Sequence, residues 1–268
     1  MNKREIFNSN LPLRFNPNPL SAPHRIFVNH EHIEKKRVLL RGEPLKKVRR
    51  VLRLKPKEIL YVFDGLGSEY RTQIVSLAPN EGELIILGKT NSQRESPLEI
   101  HLGQAVPKSH KMDFIIQKSV ELGIFEIHPL FSSRTIPRYD PRQEMRKIER
   151  WQKISQEASQ QSGRTHIPRV NPPVAFSDVL SLPSKVSLKI ILQKKPSQDS
   201  LKNLLQTNQK KRCVFFLVGP EGGFSLEEVV LAQQHDFQRL SLGERILRTE
   251  TVALTFLSIL QYELGDIA

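Results

Sequence analysis

The chain has 268 residues, 38% of them hydrophobic and 26% charged, a balance that excludes wholesale disorder and favours two folded domains over one. No run approaches the roughly 20 apolar residues of a membrane span, and one cysteine, Cys213, cannot form an internal disulfide, so neither a membrane nor an oxidising compartment is expected. The formal net charge of +13 is carried unevenly, +8 in residues 1–95 against +5 in the remaining 173, which points to a polyanionic partner held mainly by the N-terminal part.

Residues 1–23 read as an appended arm, punctuated by Pro12, Pro17, Pro19 and Pro23 and without the apolar stretch of a secretory leader, so a cytoplasmic protein is expected. A strand is expected at Arg25-Ile26-Phe27-Val28. Between Lys35 and Lys57 stand eleven basic side chains and one acid, Glu43. There Val48, Val51, Leu52 and Leu54 recur at near-helical spacing among Lys46, Lys47, Arg49, Arg50 and Arg53, which predicts a helix with an apolar stripe and a basic face. Two strands follow, Glu58 to Phe63 and Glu69 to Val75, joined through Asp64-Gly65, a strong hairpin signal. A further strand covers Glu83 to Leu87. Residues 24–90 thus form a small, β-rich, basic module, and the polar stretch Thr90 to Pro97 reads as a linker.

From 97 to 268 strands and helices alternate: a strand at Leu98 to Leu102, a helix with Met112, Ile115, Ile116 and Val120 on one face, and a strand at Ile124 to Phe131. A long helix from Pro141 to Gln161 carries Met145, Ile148, Trp151 and Ile154. Strands at Val186 to Leu192 and Val214 to Val218 flank a short helix around Leu201. This order predicts an α/β domain with a largely parallel sheet and helices on both faces. Cys213 opens a strand and is read as a small core residue.

Two turns carry the functional signal. Leu217 to Phe224 reads L-V-G-P-E-G-G-F, and Ser225 with Glu228 forms a capping box behind it. Leu240 to Leu254 reads L-S-L-G-E-R-I-L-R-T-E-T-V-A-L, with Thr249 as the expected helix cap. Glycines at two strand exits, taken as adjacent, leave main-chain groups bare for a flat ligand, at the end of an open α/β sheet where ligands collect. Neither turn is a Walker A loop or G-x-G-x-x-G.

These two motifs resemble those of the bacterial 16S ribosomal RNA uridine-N3 methyltransferases (RsmE-like), in the SPOUT superfamily. The likeness runs in register from about residue 24 to 268, through Leu102-Gly103-Gln104, Gln117 to Gly123, Trp151 to Ile154 and Gln161 to Arg164. It implies a PUA-like β-barrel RNA-binding domain, a trefoil-knotted methyltransferase domain that forms a homodimer, and S-adenosylmethionine bound in the knot. Carried over by position, Leu217, Gly219, Glu221, Gly222, Leu242, Gly243, Ile246, Leu247 and Arg248 would surround the cofactor. The expected partner is 16S ribosomal RNA or the 30S subunit.

Methylation of uracil N3 needs a lost proton and a stabilised anion rather than a covalent nucleophile. Arg248, at a helix start beside the cofactor turn, is the first candidate for that stabilisation, the alternative being a dipole-facing arginine. Glu221 can accept a proton or a ribose hydrogen bond, or only complete its turn. Glu250 reads as a helix-start acid. Arg25, Lys46, Lys47, Arg49, Arg50 and Arg53 are expected to contact phosphates, the alternative being a solvated basic face, and Arg134 and Arg164 to face the target nucleotide. The eight histidines are scattered, with His30 and His32 the nearest pair, and no metal is expected. Two other readings stay open: a related methyltransferase acting on another RNA or on a ribose 2'-hydroxyl, and a catalytically silent RNA-binding protein.

Overall fold

The computed structural model describes residues 24–91, 94–182, 186–194 and 201–267; the N-terminal arm and part of the expected linker lie outside them. Strands β1 (Arg25–Phe27), β2 (Arg37–Leu40), β3 (Ile59–Phe63), β4 (Glu69–Leu77) and β5 (Gly82–Lys89) form one sheet in the order β1-β3-β4-β5-β2. Its end strands β1 and β2 do not pair, so the expected barrel is an open half-barrel. The β3–β4 hairpin turns where Asp64 Oδ1 accepts the N–H groups of Leu66 (2.8 Å) and Ser68 (2.9 Å), with Gly65 and Gly67 supplying the left-handed backbone.

The basic helix is α1 (Gly42–Lys46), which widens into a π-helical turn over Lys47–Val51. Leu45 and Val48 close the small core with Ile26, Val38, Leu60, Val62 and Leu84. Val51, expected in the stripe, is 70% exposed, because the wider turn adds a residue to the period and rotates it outward.

The second sheet comprises β6 (Glu99–Ala105), β7 (Glu126–Phe131), β8 (Arg169–Val170), β9 (Val174–Ala175), β10 (Leu188–Leu192), β11 (Cys213–Val218) and β12 (Gln238–Leu240). The order is β12-β10-β11-β6-β7-β8, with β9 also on β7, and all its pairings are parallel. Helices α2 (Lys111–Glu121), α3 (Pro141–Ser162) and α7 (Thr249–Leu264) cover one face, packing Met112, Trp151 and Phe256 on Ile100, Val214 and Phe216. The other face, with Leu130, Phe215 and Leu217, is covered by α4 (Phe176–Val179) and α6 (Leu226–Gln234); α5 (Leu201–Thr207) links β10 to β11. Phe215 and Phe216 serve opposite faces, as successive strand residues must.

Three expectations are corrected here. Met145 of α3 is 63% exposed, so the apolar stripe of that helix starts later than the spacing suggested. Cys213 is only half-buried. The strands carrying the two functional turns are not neighbours, because β10 lies between β11 and β12.

Arg25 and Arg164, expected on RNA, instead tie the two sheets together. Arg25 pairs with Glu69, donates to the carbonyls of Ser159, Gln160 and Arg164, and stacks 3.8 Å above the centre of the Phe63 ring. Arg164 is buried; its Nη1 donates to the carbonyls of Val120 (3.0 Å) and Ile124 (2.8 Å), and Nε and Nη2 grip Glu95 Oε2. Glu95 Oε1 takes the N–H groups of Thr165 and His166, so the linker is itself part of the joint. In each of these side chains four of the five guanidinium N–H groups point to fixed protein partners, so neither is free to grip a phosphate. Arg164→Met should therefore cost about 3 kcal/mol, the low end for breaking a buried pair, because Glu95 keeps 29% of its side chain exposed while the Val120 and Ile124 carbonyls lose their donor. Urea melts would reveal it, and an unchanged midpoint would contradict this role.

Candidate functional site

β11 ends at Val218 and the chain turns tightly through Gly219 to Gly223, closed by the Gly223 N–H on the Pro220 carbonyl at 2.8 Å. Gly219 is needed by contact: a Cβ there would stand 3.0 Å from the backbone of Gly223 and Phe224. The capping box of Ser225 and Glu228 then starts α6, and Glu228 Oε1 also accepts the Ser133 N–H at 2.6 Å. In the second turn Gly243 has φ +99°, and a Cβ there would meet nothing within 4 Å.

Thr249 is not the cap of α7 but its first helical residue; the cap position is Arg248, whose side chain makes no capping bond. The Thr249 hydroxyl donates to the Gly219 carbonyl (2.7 Å) and accepts from Gln104 Nε2 (3.0 Å). One buried hydroxyl thus staples the exit of β6, the first turn and the second turn, although β10 separates their strands.

Between the turns lies a cavity of about 630 Å³. Of the residues expected there, Gly219, Glu221, Gly222, Leu242, Gly243, Ile246, Leu247 and Arg248 line it, and so does Arg134, which donates to the Gly222 carbonyl at 2.9 Å. Leu217 does not. It is fully buried in the core on the α4/α6 face, and Val218, pointing the other way, lines the cavity in its place. The walls are apolar (Val218, Leu242, Ile246, Leu247), and the rim is cationic.

Lys111 was missed by the sequence reading. Its Nζ lies 3.3 Å from Glu221 Oε1 and 3.3 Å from Glu250 Oε2, the latter a charge contact without hydrogen-bond alignment. Lys194, also missed, donates to the Glu221 carbonyl at 2.9 Å. The signal for Lys111 is its place just beyond the exit of β6, where α2 begins. Burial alone would raise the Glu221 carboxyl. Hydrogen bonds from its own backbone N–H, from Lys111 and from the Lys108 N–H outweigh that and hold it below the usual carboxylate range. A carboxylate so held is a weak proton acceptor. Arg248 is exposed on the cavity, and its side chain makes no hydrogen bond or ion pair among the described residues.

On the basic helix Lys46 is engaged by Glu43 (3.0 Å), and Arg49 donates to the carbonyls of Ala78 and Pro79. Lys47, Arg50 and Arg53 make no side-chain hydrogen bond among the described residues, which leaves them the freest cations of the set.

Residues 94–261 match the family model of the RNA methyltransferase domain, and residues 48–87 that of the RNA methyltransferase PUA domain. The ribosomal RNA small subunit methyltransferase E of Buchnera aphidicola (subsp. Schizaphis graminum) is 36% identical over 221 residues, 82% of this chain and 88% of the relative. That of Bacillus subtilis is 28% identical over 226 residues, 83% and 88% of the two. Among solved structures, the Neisseria gonorrhoeae methyltransferase E bound to S-adenosyl methionine superposes with a TM-score of 0.80 at 32% identity, covering 92% of this chain and all of that one. A Legionella pneumophila methyltransferase in complex with the same cofactor gives 0.81 at 35% identity, with the same coverage. A chain matched along most of its length, in both domains and in fold, belongs to the family of ribosomal RNA small subunit methyltransferase E.

Proposed function

We propose that this chain transfers a methyl group from S-adenosylmethionine to N3 of one uridine in 16S ribosomal RNA. In this reading it acts on the small ribosomal subunit as a cytoplasmic homodimer, with no metal in the reaction. The observation that carries the reading is the pair of bare glycine turns stapled by Thr249 around one cavity, in a member of this family. The cavity fits the cofactor: Gly243 leaves open space where any side chain would intrude, and apolar walls suit an adenine plane. Gly219, Glu221, Gly222, Leu242, Gly243, Ile246, Leu247 and Arg248 are the residues assigned to hold it.

When bound, S-adenosylmethionine supplies a methyl group on a positively charged sulfur. The protein's own part is to aim uracil N3 and to stabilise the anion formed as its proton leaves. Arg248, free of internal partners and facing the cavity, is assigned the anion. Glu221, already committed to Lys111 and the Lys108 N–H, is assigned the turn and the cofactor rather than the proton. Arg134 sits on the rim where the target nucleotide would enter. Residues 24–90 take the RNA and 97–268 carry out the chemistry. A trefoil knot in the chain between β11 and α7, with the cofactor held in it, belongs to the same reading.

Incubation of unmodified 30S subunits with methyl-labelled cofactor tests the reaction. Label should appear in N3-methyluridine; label on a ribose oxygen, or none, would replace this reading by one of its alternatives.

Lys47→Gln, Arg50→Gln and Arg53→Gln together should weaken binding to different RNAs alike. Each lost phosphate contact should flatten the log–log salt dependence by about 0.7–0.9. Loss of cofactor affinity in this variant, with the salt slope intact, would contradict the division of labour. For the dimer, α7 buries Ala253, Phe256, Leu257 and Leu260 yet leaves Leu254 and Ile259 half-covered and Tyr262 67% exposed. Light scattering at micromolar concentration should give twice the chain mass, and an active monomer would remove this element.

A further inference from the structure

Nearer the N-terminal ends of the central strands, away from the cavity, the fold gathers a second group of chemically competent side chains. β6 and β7 are in register at His101 and Glu126, and His128 lies two residues further along β7 on the same face. His101 Nδ1 is 3.3 Å from His128 Nε2 and 3.3 Å from Glu126 Oε2, and His128 Nε2 is 3.6 Å from that same oxygen. Nothing in the methyl-transfer chemistry uses these groups.

The spacing is informative. Three donor atoms linked by good hydrogen bonds would sit about 2.7–3.2 Å apart, and one shared proton cannot serve three edges at once. Ligands at about 2.0–2.1 Å from a tetrahedral zinc ion are separated by roughly 3.3–3.4 Å, which is the size of this triangle. Two imidazole nitrogens and one carboxylate oxygen form a borderline donor set that suits zinc, with the fourth position left to water.

We propose that His101 Nδ1, His128 Nε2 and Glu126 Oε2 form one face of a tetrahedral site for a zinc-like divalent ion, remote from the methyl-transfer cavity. The side chains are 14%, 10% and 22% exposed, so an ion and its water ligand can reach the triangle. Burial holds His128 neutral, pushed down to about 4, and the His101 hydrogen bond holds Glu126 ionised, down to about 2. His101, raised to about 9 against its burial by Cys213 and Glu126, keeps a proton that the ion displaces to solvent. Asn171 stands behind the site. Its Nδ2 donates to Glu126 Oε1 at 2.8 Å and lies 3.2 Å from His128 Nδ1. Ligation through Nε2 leaves the His128 proton on Nδ1, so the 3.2 Å contact with Asn171 Nδ2 has to lengthen, while Nδ2 keeps Glu126 Oε1 and the Ile127 carbonyl as acceptors. A second trio, Glu99, His101 and Cys213, surrounds the same imidazole and is the competing donor set.

The test uses untagged full-length protein, zinc and cobalt(II). Competition against a chromophoric chelator should give one zinc per chain. His128→Asn and Glu126→Gln, each checked for folding by circular dichroism, should each weaken binding at least tenfold, a typical loss for a removed ligand or its support. S-adenosylmethionine affinity should stay unchanged in both. Cobalt(II) should give the visible bands of a tetrahedral nitrogen–oxygen site. No stoichiometric binding, or equal affinity in parent and variants, would overturn the proposal. So would a thiolate charge-transfer band that disappears in Cys213→Ser, which would assign the ion to the other trio.

Discussion

Arg248→Ala should slow single-turnover methyl transfer by roughly a hundredfold to a thousandfold, or about 2.7–4 kcal/mol, the usual loss when a donor to a developing anion is removed. The arginine lines the cavity, caps nothing and pairs with nothing among the described residues, so its removal leaves no buried group stranded. Stability should move by less than about 0.5 kcal/mol, as for surface changes elsewhere. RNA affinity, carried mainly by the other domain, should be nearly unchanged. Arg248→Lys should recover only part of the rate, because a point charge does not reproduce a planar fork. A normal single-turnover rate in Arg248→Ala would remove it from the chemistry. A loss confined to melting temperature would make it structural.

Gly219→Val should weaken S-adenosylmethionine binding by about 10- to 100-fold, equivalent to the roughly 1–3 kcal/mol of an overpacked site. The neighbours of its Cβ are backbone atoms of Gly223 and Phe224 at 3.0 Å, which cannot rotate aside, so the turn has to open. Opening it also breaks the Thr249 bond to the Gly219 carbonyl and so loosens the second turn. Gly88→Ala, where a Cβ meets nothing within 4 Å and the site is far away, is the matched control and should bind normally. Calorimetry giving equal affinities in Gly219→Val and parent, both folded, would contradict the assignment of this turn to the cofactor.

What was legible in the sequence is what local chemistry determines. Asp64-Gly65 specifies its hairpin, Ser225 with Glu228 its capping box, and the glycines of the two turns their strand exits, because each acts within a few residues of itself. What failed depended on distant partners. Arg25 and Arg164 look like any other arginines in a basic chain, and only Glu69, Glu95 and the carbonyls of another element make them structural. Val51 and Met145 follow a helical period that a π-turn and a solvent-facing first turn override. The role of Thr249 was misread as a cap because its partners, Gly219 and Gln104, lie 30 and 145 residues away. His101 and His128 are 27 residues apart in the chain and meet only through the β6–β7 register. The short strands β8, β9 and β12 have too few residues to show a period at all.

The most direct test of the central claim is nucleoside mass spectrometry of 16S ribosomal RNA from otherwise identical cells with and without the gene for this chain. N3-methyluridine should be present at one position in the parent, absent from the deletion, and restored by the wild-type gene but not by the Arg248→Ala form. N3-methyluridine at an undiminished level in the deletion, or the loss of a different methylated nucleoside, would contradict it.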